Sequence, residues 1–121
     1  MTARPPAPKG SGPAGHKLWR SVVKQFELEE HEAVQLREAC HQADLLADLQ
    51  VVVDSEGAVL DDERGKRVHP AAVELRHGRI TLARLLRALR LSSGEESEGR
   101  PQRRSGARGV YQLHQRPRRS A

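Results

Sequence analysis

Seven side chains in the sequence are histidines or cysteine, which bind metals and can act in catalysis: Cys40, His16, His31, His41, His69, His77 and His114. Their spacing along the chain does not place them in a common metal-binding or catalytic cluster. His31 and His41 are ten residues apart and do not share a helical face as an i, i+4 pair would. Neither the phosphate-binding GxxxxGK[ST] motif nor a GxSxG nucleophile elbow occurs. We therefore expect no catalytic site, no metal site and no cofactor.

Two of these residues have structural explanations instead. Cys40 falls on a stripe of small residues, so we predict that it occupies a buried apolar position. His69 directly precedes Pro70, a residue well suited to the first position of a helix, so His69 is predicted to lie at a helix entry.

The clearest candidate for binding chemistry is the basic C-terminal segment. Residues 100–121 contain seven arginines and no acid. Arginine side chains bind phosphates and release counterions, which gives affinity for DNA with little sequence information. Tyr111 could add stacking on an exposed base. We predict DNA contact by Arg100, Arg103, Arg104, Arg108, Arg116, Arg118 and Arg119.

A second basic surface is predicted on the helix that precedes this segment. Four arginines fall within about a quarter of its circumference at 100° per residue: Arg76, Arg79, Arg87 and Arg90. They could face DNA or line a tunnel. Alternatively, the acids Glu30, Asp44 and Asp48 of the preceding helix could neutralise them, within one subunit or between subunits.

The overall composition limits the class of protein. The chain has 121 residues, a formal net charge of +5 and a single cysteine, so it holds at most one domain and no intrachain disulfide. Neither a secretory signal nor an apolar run of about 20 residues is present. These features predict a soluble intracellular protein that contacts no membrane, and the basic balance favours a polyanionic partner.

Hydrophobic periodicity predicts three helices. The first, in residues 16–26, has one apolar stripe formed by Trp19, Val22, Val23 and Phe26. The second runs from Glu29 to about residue 53 and carries small residues on one face. The third begins at Pro70 and carries a leucine stripe, with Gly78 as a local weakness or a close-packing point.

Residues 55–70 connect the second and third helices by a short β-hairpin or a plain loop, and either one reverses the chain. The predicted fold is therefore all-α, with a short N-terminal helix followed by a long antiparallel helical hairpin. We predict a disordered N-terminal arm in residues 1–16, a helical oligomerisation core in residues 17–91, and a flexible basic tail in residues 92–121.

Both long helices carry a second apolar line on the side away from the hairpin contact. A two-helix hairpin has only one interior, and about 75 ordered residues make a marginal core, for which oligomerisation is a common remedy. The predicted homo-oligomer interface comprises Val34, Leu45, Leu49, Val52, Val73 and Ile80. The alternative is that these are scattered surface aliphatic residues.

Three stretches together resemble the phage terminase small subunit in the form found among actinobacterial phages and prophages: KLWRSVVKQFELEEHEAVQLREACHQADLLADL, VHPAAVELRHGRITLARLLRALRL and GARGVY. The resemblance covers roughly residues 16–111. It implies a non-catalytic component of viral DNA packaging in the bacterial cytoplasm. Such subunits assemble as homo-oligomeric rings, bind double-stranded viral DNA, and recruit and regulate the large subunit, which holds the ATPase and nuclease.

One feature departs from that family. Many small terminases have an N-terminal helix-turn-helix, whereas here the candidate recognition helix begins with Glu29, Glu30 and Glu32, a poor surface to present to phosphates. Two other functions stay open. The GARGVYQLHQ segment could order on the large subunit or portal, which would make the chain a basic adaptor, or the chain could be an architectural nucleic-acid-binding protein with no packaging role.

Overall fold

The computed structural model describes residues 4–89 and the backbone of residues 102–103. The elements follow in the order α1 Pro13–Gln25, β1 Phe26–Glu27, α2 Glu30–Glu56, β2 Val59–Asp62, β3 Gly65–Val68, α3 Pro70–Leu89 and β4 Gln102–Arg103. Helices dominate the described part of the chain, which confirms the predicted all-α class in its coarse form. The strands form two small antiparallel pairs, β1 with β4 and β2 with β3.

Helix α1 begins earlier than predicted. Pro13 stands in its first turn, where the missing N–H and fixed φ of proline are tolerated. Residues 13–16 are therefore helical, and α1 starts three residues before the predicted start at residue 16. The preceding segment also contacts the core, because the Trp19 indole Nε1 donates a 2.9 Å hydrogen bond to the Pro5 carbonyl and Ala7 packs against the buried cluster.

Helix α2 is 27 residues long and starts with a capping box. The Glu32 carboxylate accepts a 2.7 Å hydrogen bond from the Glu29 backbone N–H, and the Glu29 side chain caps the Glu32 N–H in return. The helix ends at Gly57, whose φ of 88° lies in the left-handed region that glycine tolerates best. This end is three residues beyond the predicted one.

The connection between α2 and α3 is a β-hairpin, so that alternative was the right one. Val59 pairs with Val68, and the register continues to Asp62 opposite Gly65. Gly65 has a φ of 99° in the turn, which few other residues adopt without strain. The His69 backbone N–H then donates to the Ala58 carbonyl and closes the base of the hairpin.

Helices α2 and α3 pack together and run antiparallel. Contacts join Glu56 to His69 at the hairpin and Gln50 to Arg79 further along. Gly78 is buried, and a Cβ built there would lie 2.5 Å from the end of the Leu46 side chain. Gly78 is therefore a close-packing point between the helices, one of the two roles predicted for it.

The core lies where α1 meets both long helices. Its largest fully buried side chains are Trp19 of α1, Leu36 and Cys40 of α2, and Leu89 of α3. The four residues of the predicted α1 stripe all belong to this cluster: Trp19, Val22, Val23 and Phe26. The recurrence of apolar residues at i, i+3, i+4 and i+7 was sufficient to identify them.

Strand β4 lies within the segment predicted to be a flexible tail. Its residues pair antiparallel with β1, with Phe26 opposite Arg103 and Glu27 opposite Gln102. This backbone pairing places residues 102–103 at the junction between α1 and α2, and the flexible tail over residues 92–121 stays a prediction.

Candidate nucleic-acid interface

Helix α1 presents a basic face that we did not predict. Lys17, Arg20 and Lys24 occur at i, i+3 and i+7, and all three are exposed. They lie opposite the buried face of the helix, and α1 contains no acidic residue. None of the three forms an ion pair with any residue in the range 4–89. The same period that marks the apolar stripe could have revealed this basic stripe in the sequence.

An acidic residue of α2 fixes the position of α1. The Asp44 carboxylate accepts hydrogen bonds from the backbone N–H groups of Gly12, at 2.8 Å, and Gly15, at 2.7 Å. These N–H groups belong to the first turn of α1, where no intrahelical acceptor exists, and the negative charge also suits the positive end of the helix dipole. Asp44 thereby holds α1 so that its basic face points away from α2.

Gly15 allows this close approach. A Cβ at this position would lie 2.7 Å from the backbone carbonyl oxygen of Cys40 and 2.5 Å from the Asp44 carboxylate. Backbone cannot yield as a flexible side chain can, so a larger residue would push α1 away from α2. The orientation of the basic face therefore depends on a glycine that carries no charge itself.

The arginines of α3 divide into two groups. Arg76 and Arg87, two of the four in the predicted stripe, are exposed, and so is Arg84, which the prediction omitted. Arg79 is exposed as well, but its guanidinium donates a 2.6 Å hydrogen bond to Gln50 Oε1 of α2. Arg90, the fourth member, lies outside the described residues. The exposed basic face of α3 is therefore formed by Arg76, Arg84 and Arg87.

The acids of α2 do not neutralise this face within the described chain. Glu30 pairs with Arg37 of its own helix at 3.9 Å, and Asp44 caps α1. Asp48 makes no ion pair to another described residue. Neutralisation within one subunit, which the charge pattern allowed, is thus not observed between these helices.

Most of the predicted tail contacts fall outside the described residues: Arg100, Arg104, Arg108, Arg116, Arg118 and Arg119. Arg103 is located by its backbone only, in β4 beside Phe26. The structure therefore fixes one point on the path of the basic segment, next to the end of α1, and leaves the predicted DNA contacts of the tail as predictions.

The predicted oligomer interface is only partly exposed. Val34, Leu45 and Ile80 are exposed by 47%, 50% and 45%. Leu49, Val52 and Val73 are half-buried. Their exposed portions remain apolar surface on the outer sides of α2 and α3.

Two of the residues with catalytic or metal-binding potential, Cys40 and His69, have structural roles. Burial raises the pKa of the Cys40 thiol to about 11, with a smaller contribution from the Asp44 charge, and Cys40 is fully buried as predicted. His69 lies at the start of α3, also as predicted. Its Nδ1 accepts a hydrogen bond from the Ala71 N–H at 2.9 Å, and its Nε2 donates to Glu56 at 2.7 Å.

Among the described residues there is neither a metal-binding cluster nor a membrane-spanning helix. No group of three or more His, Cys, Asp or Glu side chains there could hold a metal ion. None of the helices in residues 4–89 is long and apolar enough to cross a membrane. Comparison of the chain with protein families, curated proteins and solved structures found no match in any of the three.

Proposed function

We propose that this chain is a non-catalytic, DNA-binding component of a viral packaging machine, of the terminase small-subunit kind. In this role it binds double-stranded viral DNA as a homo-oligomeric ring and recruits and regulates a large subunit that holds the ATPase and nuclease. The packaging assignment depends on the sequence resemblance. The DNA-binding assignment has its own physical support in the exposed charges.

The observation that carries DNA binding is the uncompensated basic surface of α1. On the outer face of this helix Lys17, Arg20 and Lys24 are exposed and have no acidic partner in residues 4–89. Such residues neutralise phosphates on any DNA sequence. Seven further arginines lie in residues 100–121, and the pairing of β4 with β1 brings the start of that segment beside the end of α1.

The experiment measures affinity for duplex DNA by fluorescence anisotropy over a series of salt concentrations. Each phosphate neutralised contributes about −0.9 to the slope of log affinity against log salt. We expect deletion of residues 100–121 to remove most of the affinity and slope. Replacing Lys17, Arg20 and Lys24 by alanine should flatten the slope by about 2 to 3.

A matched control removes basic charge elsewhere. Arg64 and Lys66 are exposed in the β-hairpin and form no ion pair with another described residue, and replacing both by alanine should leave the slope nearly unchanged. If all these variants lower affinity equally, DNA binding follows net charge and has no defined surface. If neither the α1 variant nor the deletion changes the slope, the DNA-binding assignment is wrong.

Packaging is tested separately from DNA binding. The purified protein should neither hydrolyse ATP nor cut DNA. Where a large-terminase gene lies beside its own, the protein should change both rates in that enzyme. A scrambled sequence for residues 100–121 should keep DNA affinity, because charge matters more than order. If the scramble keeps DNA binding but loses stimulation of the large subunit, the segment is a protein-docking motif and the adaptor function is favoured. If no large-terminase gene lies nearby, an architectural nucleic-acid-binding protein is favoured.

A further inference from the structure

The outer side of α2 combines exposed aliphatic residues with unpaired acids. Val34, Glu38, Leu45, Asp48 and Val52 fall within about a quarter of the helical circumference at 100° per residue, on the side away from the buried residues of α2. Glu38 and Asp48 are exposed and form no ion pair with another described residue. We call these five residues the acidic face of α2.

The outer side of α3 has the same construction with the opposite charge. Val73, Arg76, Ile80, Arg84 and Arg87 also fall within about a quarter of the circumference, opposite the buried residues of α3. Its three arginines are exposed and without ion pairs in residues 4–89. We call these five residues the basic face of α3.

The two faces cannot meet within one chain. Helices α2 and α3 contact each other through other surfaces, with Gly78 packed on Leu46 and Arg79 bonded to Gln50. Each face therefore points away from that contact. An apolar strip flanked by acids and an apolar strip flanked by arginines are complementary in both hydrophobicity and charge, so a partner for each already exists on another copy of the same chain.

The spacing along the two faces also matches. Leu45 and Val52 are seven residues apart, as are Val73 and Ile80, which corresponds to about 10.5 Å in each helix. In an antiparallel arrangement Leu45 lies opposite Ile80, the most exposed aliphatic residue of one face opposite that of the other, and Val52 lies opposite Val73.

Two of the three arginines then come opposite or next to an acid, while Arg84 lies opposite the exposed His41. Glu38 precedes Leu45 by seven residues and Arg87 follows Ile80 by seven, so the antiparallel arrangement places Glu38 opposite Arg87. Asp48 comes within one residue of the position opposite Arg76. A parallel arrangement would place Asp48 opposite Arg76 and Glu56 opposite Arg84, but Glu56 already bonds His69, and the positions opposite Glu38 and Arg87 would lie beyond the ends of the partner helix.

We propose that the acidic face of α2 binds the basic face of α3 in a second copy of the chain, with the two helices antiparallel. The inference rests on the self-association proposed above and adds which faces meet and in which direction. Because the two faces differ, the contact is head-to-tail, and every dimer leaves one free face of each kind. Assembly therefore continues until a ring closes or a filament forms. The basic face of α1 stays free for DNA.

The test measures mass in solution without DNA, by light scattering and native mass spectrometry. Leu45→Asp disables the acidic face and Ile80→Asp disables the basic face. We expect the wild-type protein at about tens of micromolar to be larger than a dimer and each variant to be a monomer. An equimolar mixture of the two variants should form a dimer and nothing larger, because one intact face of each kind remains.

A matched control guards against general effects of a new charge. Val51 is 66% exposed on α2 and lies outside the acidic face, so Val51→Asp should keep the wild-type mass. Circular dichroism and Trp19 fluorescence verify that each variant is folded. The direction of the contact is tested by Glu38→Arg and Arg87→Glu. Each substitution alone should reduce the mass in solution, and the two combined in one chain should restore it.

Several results would overturn the inference. If each of the two aspartate variants still dimerises alone, like faces bind each other and the contact is not head-to-tail. If the wild-type protein is an oligomer whose mass neither variant changes, the faces are wrong while self-association stands. A wild-type monomer refutes both the choice of faces and self-association. A monomer is also the result expected if residues 90–121 of the same chain cover the acidic face. DNA affinity is measured separately, so its loss or survival does not affect these outcomes.

Discussion

Removing the Asp44 carboxylate should weaken the docking of α1 on the rest of the fold. This side chain accepts hydrogen bonds from the Gly12 and Gly15 N–H groups, at 2.8 and 2.7 Å. A hydrogen bond to a charged group contributes about 1.5–3 kcal/mol, and loss of a helix N-cap costs about 0.5–2 kcal/mol. The two N–H groups are partly buried, which places each bond near the lower end. We expect Asp44→Ala to lower the free energy of unfolding by about 2–4 kcal/mol.

Asp44→Asn should cost less than Asp44→Ala. The amide keeps one oxygen as an acceptor for one of the two N–H groups, but it loses the charge that interacts with the helix dipole, worth about 0.3–1 kcal/mol. A loss of about 1–2 kcal/mol is expected. Domains of this size are stable by about 5–15 kcal/mol, so both changes are measurable.

The assay is urea unfolding followed by circular dichroism and by fluorescence. Trp19 is the only tryptophan and is 2% exposed in α1, so its emission reports whether α1 is docked. The matched control is Asp54→Asn on the same helix. Asp54 is exposed and accepts a hydrogen bond only from Gln50, which an amide oxygen can also accept, so the change should stay within about 0.5 kcal/mol. Measurements in the Ile80→Asp background exclude any contribution from self-association.

The reasoning fails if Asp44→Ala changes the stability no more than Asp54→Asn does. It fails also if the Trp19 emission of Asp44→Ala stays constant up to the main unfolding transition and the urea midpoint of that transition equals that of the protein with Asp44. Either outcome would mean that apolar packing alone docks α1, and that the hydrogen bonds to Asp44 add nothing beyond those that water would supply.

Three further predictions concern the interior. Gly15→Ala should lower the free energy of unfolding by about 1–3 kcal/mol in urea titrations, because the new Cβ would lie 2.7 Å from a backbone oxygen. Gly78→Ala should change the free energy of unfolding by less than about 1 kcal/mol, since only the flexible ends of side chains need to shift and alanine favours the helix. Cys40 should react with a thiol reagent far more slowly in the native protein than in denaturant. Because burial raises its pKa from 9.0 to about 11, the unfolded thiol ionises first, so stability relative to Cys40→Ala is retained below pH 9 and declines as the pH rises towards about 11.

The helices and their buried stripes could be predicted because both depend on local periodicity. The α1 stripe and the position of Pro70 follow from spacing and from proline geometry, and the structure confirms both. The start of α1 could not be predicted in this way. Its first turn is satisfied by Asp44, 29 and 32 residues along the chain from the N–H groups it accepts from, and a glycine-rich and proline-rich opening otherwise resembles disorder.

The charges along the chain could be counted from the sequence, but their pairing could not be predicted. The sequence allowed the acids of α2 to neutralise the arginines of α3 within or between subunits, but packing of Gly78 against Leu46 occupies the surface where the two helices meet in one chain. Several acids are used locally, Glu32 in the capping box and Asp62 with Arg67 in the hairpin. A count of charged residues in the sequence does not show which of them pair locally and which remain unpaired.

The charges that are left over determine how the chain can behave in solution. On α2 they are the exposed acids Glu38 and Asp48, and on α3 they are arginines on the opposite side of the hairpin. Opposite charges on opposite sides of one particle attract a second copy in one orientation, whereas DNA attracts only the basic side. Both interactions weaken with salt, but only DNA binding should depend on the basic face of α1. Self-association and DNA binding can therefore be separated by substitutions on different helices.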